Sequence, residues 1–278
     1  MSTLAGHYRT ALVTGASTGL GRAVAEMLLD EGLRVWGTAR DPARLPGRAG
    51  FFPVALDLGA DASVDAAVQR AEGEAGGFDV VVNNAGFGLY GPFVDRDFAD
   101  WKRQLDAMLV RTLRLSHLVL RGMLARNRGA LVNVSSLAVD FPMPFMSGYN
   151  VVKAGLAAFS ESLMIEVAGT GVIVIDFRPG DYRTGFNQTM QASSGINFLS
   201  DALPAGRVRR AWTVIEANLA TAPSPARAAA DLRRALRRHR SGTVRSGMFF
   251  QAWLAPLLAR LIPLSLRRAA QARYFGCS

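Results

Sequence analysis

The sequence predicts a doubly wound parallel α/β sheet, Rossmann-like, forming a single domain with a helical C-terminal elaboration. Three observations carry that prediction. Short continuous apolar runs, rich in β-branched residues, recur between longer helical patterns. A glycine-rich turn joins the first of these runs to the first helical pattern, and no Pro-, Gly- or Ser-rich linker divides the chain. Unbroken apolar strands suit a parallel sheet covered on both faces. The strand–helix alternation implies right-handed crossovers.

Taken in order, residues 10–14 (TALVT) read as a buried strand, followed by the glycine turn and a helix from about residue 20 to 31. Further strands are read at 33–38, 52–55, 79–83, 130–134 and 172–177, with helical patterns near 61–75, 98–127 and 149–168. Residues 204–220 and 225–239 read as helices, with Pro204, Pro223 and Pro225 marking their starts. Residues 243–247 fit a seventh, edge strand. The sheet domain is expected to occupy 1–248, leaving 249–278 as an apolar and basic extension.

Composition narrows the function classes. Half of the 278 residues are apolar and 19% are charged, which excludes a disordered or collagen-like chain. One cysteine, Cys277, permits neither an intrachain disulfide nor a cysteine-based metal cluster, and His7, His117 and His239 are scattered, so no metal site is expected. The start shows no basic segment followed by an apolar one, so a cytoplasmic location is expected. Residues 205–278 hold 14 arginines against two acids, Glu216 and Asp231. Arg227, Arg233, Arg234, Arg237 and Arg238 read as a solvated helix face, and without an aromatic-and-basic signature no nucleic-acid partner is expected. All but two of the 32 basic residues are arginine, so Lys102 and Lys153 stand out.

The turn after the first strand reads Thr14-Gly15-Ala16-Ser17-Thr18-Gly19-Leu20-Gly21. Glycines at that place let backbone amides approach a pyrophosphate at a helix N-terminus, where the helix dipole favours negative charge. Asn83-Asn84-Ala85-Gly86 follows the fourth strand, Tyr149-x-x-x-Lys153 lies 13 residues after Ser136, and Pro179-Gly180 precedes Thr184. Together, over about residues 8–185, this ordered set resembles the short-chain dehydrogenase/reductase family. The resemblance implies an oxidoreductase interconverting a hydroxyl and a carbonyl, with Ser136, Tyr149 and Lys153 catalytic. It also implies nicotinamide dinucleotide binding by Gly15, Ser17, Thr18, Gly19, Leu20, Gly21, Asp57, Leu58, Asn84, Ala85, Gly86, Tyr149, Lys153, Pro179, Gly180 and Thr184. Asp57 could instead be a helix-capping acid.

The second strand ends at Thr38-Ala39-Arg40, placing alanine where an NAD-selecting acid is usual. Arg40 suits the 2′-phosphate of NADP, so NADP is favoured over NAD; the competing reading is a surface pair between Arg40 and Asp41. Tyrosine is a poor base at neutral pH, and a lysine ammonium one helical turn away is expected to lower its pKa. Tyr149 is thus the expected general acid/base. One departure from the family pattern is Met108, which takes the place of an asparagine that helps hold a proton-relay water, with Arg111 at an accompanying glycine. It opens a reading of another class: a dinucleotide-binding regulator or scaffold with little turnover.

Phe141, Met143, Phe145, Met146 and the segment 87–90 suggest an apolar pocket for a lipophilic alcohol or ketone, unless they pack under a subunit contact. By resemblance, 185–203, with Phe186, Met190, Ile196 and Phe198, would be a flexible lid, and the protein a homodimer or homotetramer. The apolar run from 249, flanked by Arg267, Arg268 and Arg273, is broken by Arg260 and two prolines. That makes it a poor membrane span. Peripheral membrane contact through 249–275, cover for the substrate mouth and subunit packing all remain open.

Overall fold

The computed structural model describes residues 3–186, 190, 203–204 and 206–278. Seven strands form one sheet: β1 (Thr10–Val13), β2 (Arg34–Ala39), β3 (Phe51–Ala55), β4 (Val80–Asn83), β5 (Gly129–Val134), β6 (Val172–Pro179) and β7 (Gly242–Ser246). They pair in the order β3-β2-β1-β4-β5-β6-β7, all parallel, with β7 at the edge as expected. The chain winds outward from β1 to β3 and then returns to the other side of β1 with β4. That reversal opens a crevice beyond the carboxyl ends of the strands, the place where ligands bind in such sheets.

The helices are α1 (Gly19–Asp30), α2 (Asp61–Ala75), α3 (Phe98–Leu105), α4 (Arg111–Ala125), α5 (Ser147–Glu166), α6 (Arg207–Ala220), α7 (Pro225–Arg238), α8 (Ala255–Leu261) and α9 (Leu264–Tyr274). Alternate strand residues feed two apolar layers. Val13, Val35, Val82, Val132 and Ile175 pack with Val24 and Leu28 of α1 and Leu232 of α7. Leu12, Trp36, Val81, Leu131 and Val174 pack with Val68 of α2, Leu115 of α4 and Leu163 of α5. Burial on both faces explains why the strands read as unbroken apolar runs.

Three differences from the sequence reading have physical causes. The sixth strand runs on to Pro179 because β7 pairs beside it as far as Pro179 opposite Ser246. The helical pattern at 98–127 is interrupted by a π-helical turn at Asp106–Val110, centred on Met108. The arginine face of α7 is partly ion-paired rather than simply solvated: Arg233 and Arg237 reach the buried Glu31 of α1's C-cap at 3.4 and 2.9 Å. Glu31 also accepts from the Leu4 amide, so its carboxyl lies below its ordinary pKa despite burial.

The C-terminal segment folds back onto the sheet domain. Arg210 Nε donates to the Gly276 carbonyl (3.0 Å), the Tyr274 hydroxyl donates to Asn218 Oδ1 (2.8 Å), and Phe275 packs with Trp212 of α6. Its outer face stays apolar: Phe249, Trp253 and Leu261 are 71%, 65% and 76% exposed. Among the described residues no helix is long and apolar enough to cross a membrane.

Candidate active site

The glycine turn is fixed from three sides. The Thr14 hydroxyl accepts from the Asn84 and Ala85 amides at 2.9 and 3.0 Å, and Asn84 Nδ2 donates to the Thr14 carbonyl at 2.9 Å. The Ala16 amide donates to the Thr38 carbonyl at 2.8 Å, tying the turn to the end of β2. Gly15 and Gly19 have φ of +68° and +56°, where side chains are disfavoured. Gly21 is required by space, since a Cβ there would lie 2.2 Å from the Gly15 carbonyl oxygen. Thr18 precedes α1 without a capping side-chain bond, leaving the first-turn amides open to an anion. Ser17, Thr18, Gly19 and Leu20 all keep some exposure, and Thr184 lies 3.2 Å from where a Gly19 Cβ would stand. The turn fits a pyrophosphate, and the Pro179-Gly180 loop reaches it through Thr184.

Further along the crevice, Arg40 is exposed and has no ion pair among the described residues; the Asp41 carboxylate accepts from the Ala43 amide instead. The reading of Arg40 and Asp41 as a simple surface pair is therefore not what the structure shows. Asp57 is also exposed, and its Oδ1 accepts from the Gly59 amide (2.8 Å), closing the turn before α2; Leu58 packs against the second apolar layer. Asn84, Ala85 and Gly86 line the same crevice beside the turn.

At the other end, Ser136 follows β5, while Tyr149 and Lys153 stand one turn apart on α5. Asn150 fixes the start of α5 by bonding the Met143 amide (3.2 Å) and carbonyl (2.7 Å). Lys153 is 5% exposed, its Nζ lies 5.5 Å from the Tyr149 ring centre, and it donates to the Val134 carbonyl at 2.7 Å. Burial pushes the Lys153 ammonium down to about 8, against the pull of Asp176. Burial likewise pushes the Tyr149 phenol up to about 12; the Ser136 hydroxyl beside it lowers it, and the Asp181 charge raises it. The expected lowering by Lys153 does not govern this phenol. Desolvation dominates, and the ammonium is directed at a carbonyl rather than at the phenol oxygen.

Met108 is buried, and its sulfur accepts weakly from the Phe87 amide at 3.3 Å. A Cβ on Gly86 would meet Met108 Cε at 2.7 Å. Gln104 holds the same loop by donating to the Phe87 carbonyl at 2.9 Å. Most of the apolar residues cluster together within the chain. Met143, Phe145, Met146, Tyr149, Phe186 and Met190 pack with Tyr90 and Trp212. Phe87 joins Met108, Val152 and Tyr149. Ile196 and Phe198 of the expected lid lie outside the described residues.

Sequence reasoning missed three groups. Asp176 on β6 bonds Ser135 and Arg178 Nε and is the acid nearest in effect to Lys153. Asn83 and Asn133 form a buried network with Ser116 and Ser160 behind β4 and β5. Asp181 accepts from Gln251 of the C-terminal segment at 3.0 Å. An acid embedded in the apolar runs of 172–182 was the available signal for Asp176 and Asp181.

Known proteins share this fold. The short chain dehydrogenase family model matches residues 9–195. The chain is 32% identical over 205 residues to the 3-oxoacyl-(acyl-carrier-protein) reductase FabG of Vibrio cholerae, covering 72% of this chain and 84% of the relative. It is 32% identical over 188 residues to a 3-ketodihydrosphingosine reductase of Bacteroides thetaiotaomicron, covering 67% of this chain and 69% of that one. A short-chain dehydrogenase structure from Streptomyces avermitilis superposes with a TM-score of 0.78 at 27% identity over 96% of both chains. A phosphate-ready turn, a Ser-Tyr-Lys cluster and these relatives agree: the chain belongs to the short-chain dehydrogenase/reductase family of NAD(P)-dependent oxidoreductases.

Proposed function

We propose that the protein is an NADP(H)-dependent oxidoreductase that interconverts a hydroxyl and a carbonyl on a lipophilic small molecule, using Tyr149 as general acid/base. The convergence of Ser136, Tyr149 and Lys153 at the carboxyl end of β5 carries this reading. The bound nicotinamide supplies or accepts hydride. Tyr149, pushed up to about 12, holds its proton at neutral pH and gives it to the carbonyl oxygen during reduction. In the reverse direction the alcohol proton passes to the Tyr149 oxygen, which must then be in its phenolate form. Ser136 donates a hydrogen bond to the same oxygen, and Lys153 holds the nicotinamide ribose.

Arg40 supports NADP over NAD: it is exposed at the end of β2, where a 2′-phosphate would sit, and has no ion pair among the described residues. Gly15, Ser17, Thr18, Gly19, Leu20, Gly21 and Thr184 would hold the pyrophosphate. Asn84, Ala85, Gly86, Pro179 and Gly180 would line the nicotinamide half, and Asp57 and Leu58 the adenine. A lipophilic substrate is supported by the cluster of Met143, Phe145, Phe186 and Met190 around Tyr149, and by the relative named for 3-ketodihydrosphingosine.

The proposal places the protein in the cytoplasm, with 249–275 resting on membrane surfaces. Phe249, Phe250, Trp253 and Leu257 are exposed there, and no acid occurs after Asp231. Exposed Phe98, Val110, Val151 and Ile165 on the α3–α4 and α5 helices support assembly as a homodimer or homotetramer. The test is NADPH consumption against a panel of sterol, retinoid, long-chain and aromatic ketones, repeated with NADH. Turnover of at least one apolar ketone, faster with NADPH, is expected; NADPH binding without turnover across the panel would favour the regulator reading. Anionic liposomes should sediment the protein and release it when Phe250 and Trp253 become serine; undiminished binding removes the membrane contact.

A further inference from the structure

The buried acids among the described residues are saturated. Asp79 accepts from the Arg9 amide and from Arg128, Asp176 from Ser135 and Arg178, and Glu31 from Leu4 and Arg237, each through both oxygens. Asp181 differs. Gln251 Nε2 donates to its Oδ2 at 3.0 Å, and Oδ1 takes no hydrogen bond among the described residues. No lysine, arginine or histidine among the described residues pairs with the carboxylate.

Its position is defined by its neighbours. The Gly180 amide donates to the Ser246 carbonyl at 2.7 Å. A Cβ on Gly180 would stand 3.0 Å from Leu137 and 3.2 Å from Gln251 Oε1. Asp181 therefore sits between the residue after Ser136 and the C-terminal segment, near enough to Tyr149 for its charge to raise that phenol. Burial raises the Asp181 carboxyl itself. A half-buried carboxylate with one oxygen anchored and no donor to the other among the described residues is able to accept from a bound molecule.

We propose that Asp181 forms a substrate subsite, its open oxygen accepting from a hydroxyl or ammonium carried close to the reacting carbon of an otherwise lipophilic ketone or alcohol. The proposal rests on the oxidoreductase reading of the same site and adds what the apolar walls lack, a polar anchor that fixes which carbonyl faces Tyr149. Gln251 positions that anchor from the C-terminal segment.

The test compares kcat/KM with NADPH for three alkyl ketones of one chain length: the plain ketone, the β-hydroxy ketone and the β-ammonium ketone. The wild type should prefer a donor-bearing ketone to the plain one by about tenfold or more, as sites built to bond a substrate donor do. Asp181→Leu should bring that ratio near one. Asp181→Asn, which keeps an acceptor and loses the charge, should retain a hydroxyl preference and abolish an ammonium preference. Equal use of all three ketones by the wild type would overturn the subsite while leaving the oxidoreductase reading intact, and needs no variant to fold. A proportional loss on all three in Asp181→Leu would also overturn it. Failure to reduce any ketone would overturn both.

Discussion

Replacing Gly21 with alanine probes the phosphate turn through space alone. The new Cβ would lie 2.2 Å from the Gly15 carbonyl oxygen and 2.4 Å from Asn84 Nδ2, both far inside contact distance. One obstacle is backbone and the other is an amide already bonded to the Thr14 carbonyl at 2.9 Å, so neither can swing aside freely. Overpacking of this kind costs about 1–3 kcal/mol, and stranding the Asn84 amide adds roughly 1 kcal/mol. Gly21→Ala should therefore lose about 2–4 kcal/mol in urea unfolding. Because the turn amides move with Gly15, NADPH should bind at least about tenfold more weakly by fluorescence titration, a change of roughly 1.4 kcal/mol. Gly73→Ala is the control of opposite sign. A Cβ at Gly73 of α2 meets nothing within 4 Å, so the helix should gain about 0.5–1 kcal/mol. Wild-type stability and NADPH affinity in Gly21→Ala would refute the reasoning.

Two further outcomes are expected. Arg40→Ala should weaken NADPH about 10–100-fold, the loss of charge-assisted bonds of roughly 1.5–3 kcal/mol, and leave NADH nearly unchanged; an equal loss for both nucleotides contradicts the 2′-phosphate role. Lys153 titrates near 8 in the fold against 10.5 in its ordinary state, so between those values the unfolded chain binds more protons and folding stability rises with pH. Relative to Lys153→Met, the wild type should gain roughly 3 kcal/mol across that window. Parallel unfolding curves for the two proteins would exclude a buried, depressed ammonium.

The sheet and both ends of the crevice were legible because they rest on local pattern. Unbroken apolar runs follow from burial on two faces, Gly15 and Gly19 from positive φ, and Tyr149 with Lys153 from one helical turn. What escaped the sequence depends on contacts across long separations. The bond of Met108 to the Phe87 amide spans 21 residues, and that of Gln251 to Asp181 spans 70, so neither spacing nor composition signals them. The Tyr149 pKa was misjudged because a motif shows which charge is near but not how deeply the phenol is buried. The arginines of α7 looked solvated because their acid, Glu31, lies about 200 residues earlier in the chain.

Proton transfer from the Tyr149 hydroxyl is the step on which the functional reading turns, and Tyr149→Phe removes that hydroxyl while keeping the ring that packs with Phe186 at 5.8 Å. Steady-state reduction of the best apolar ketone should fall by about 10²–10⁴ in kcat, while NADPH titration changes by less than about threefold. Turnover at the wild-type rate in Tyr149→Phe would contradict the account.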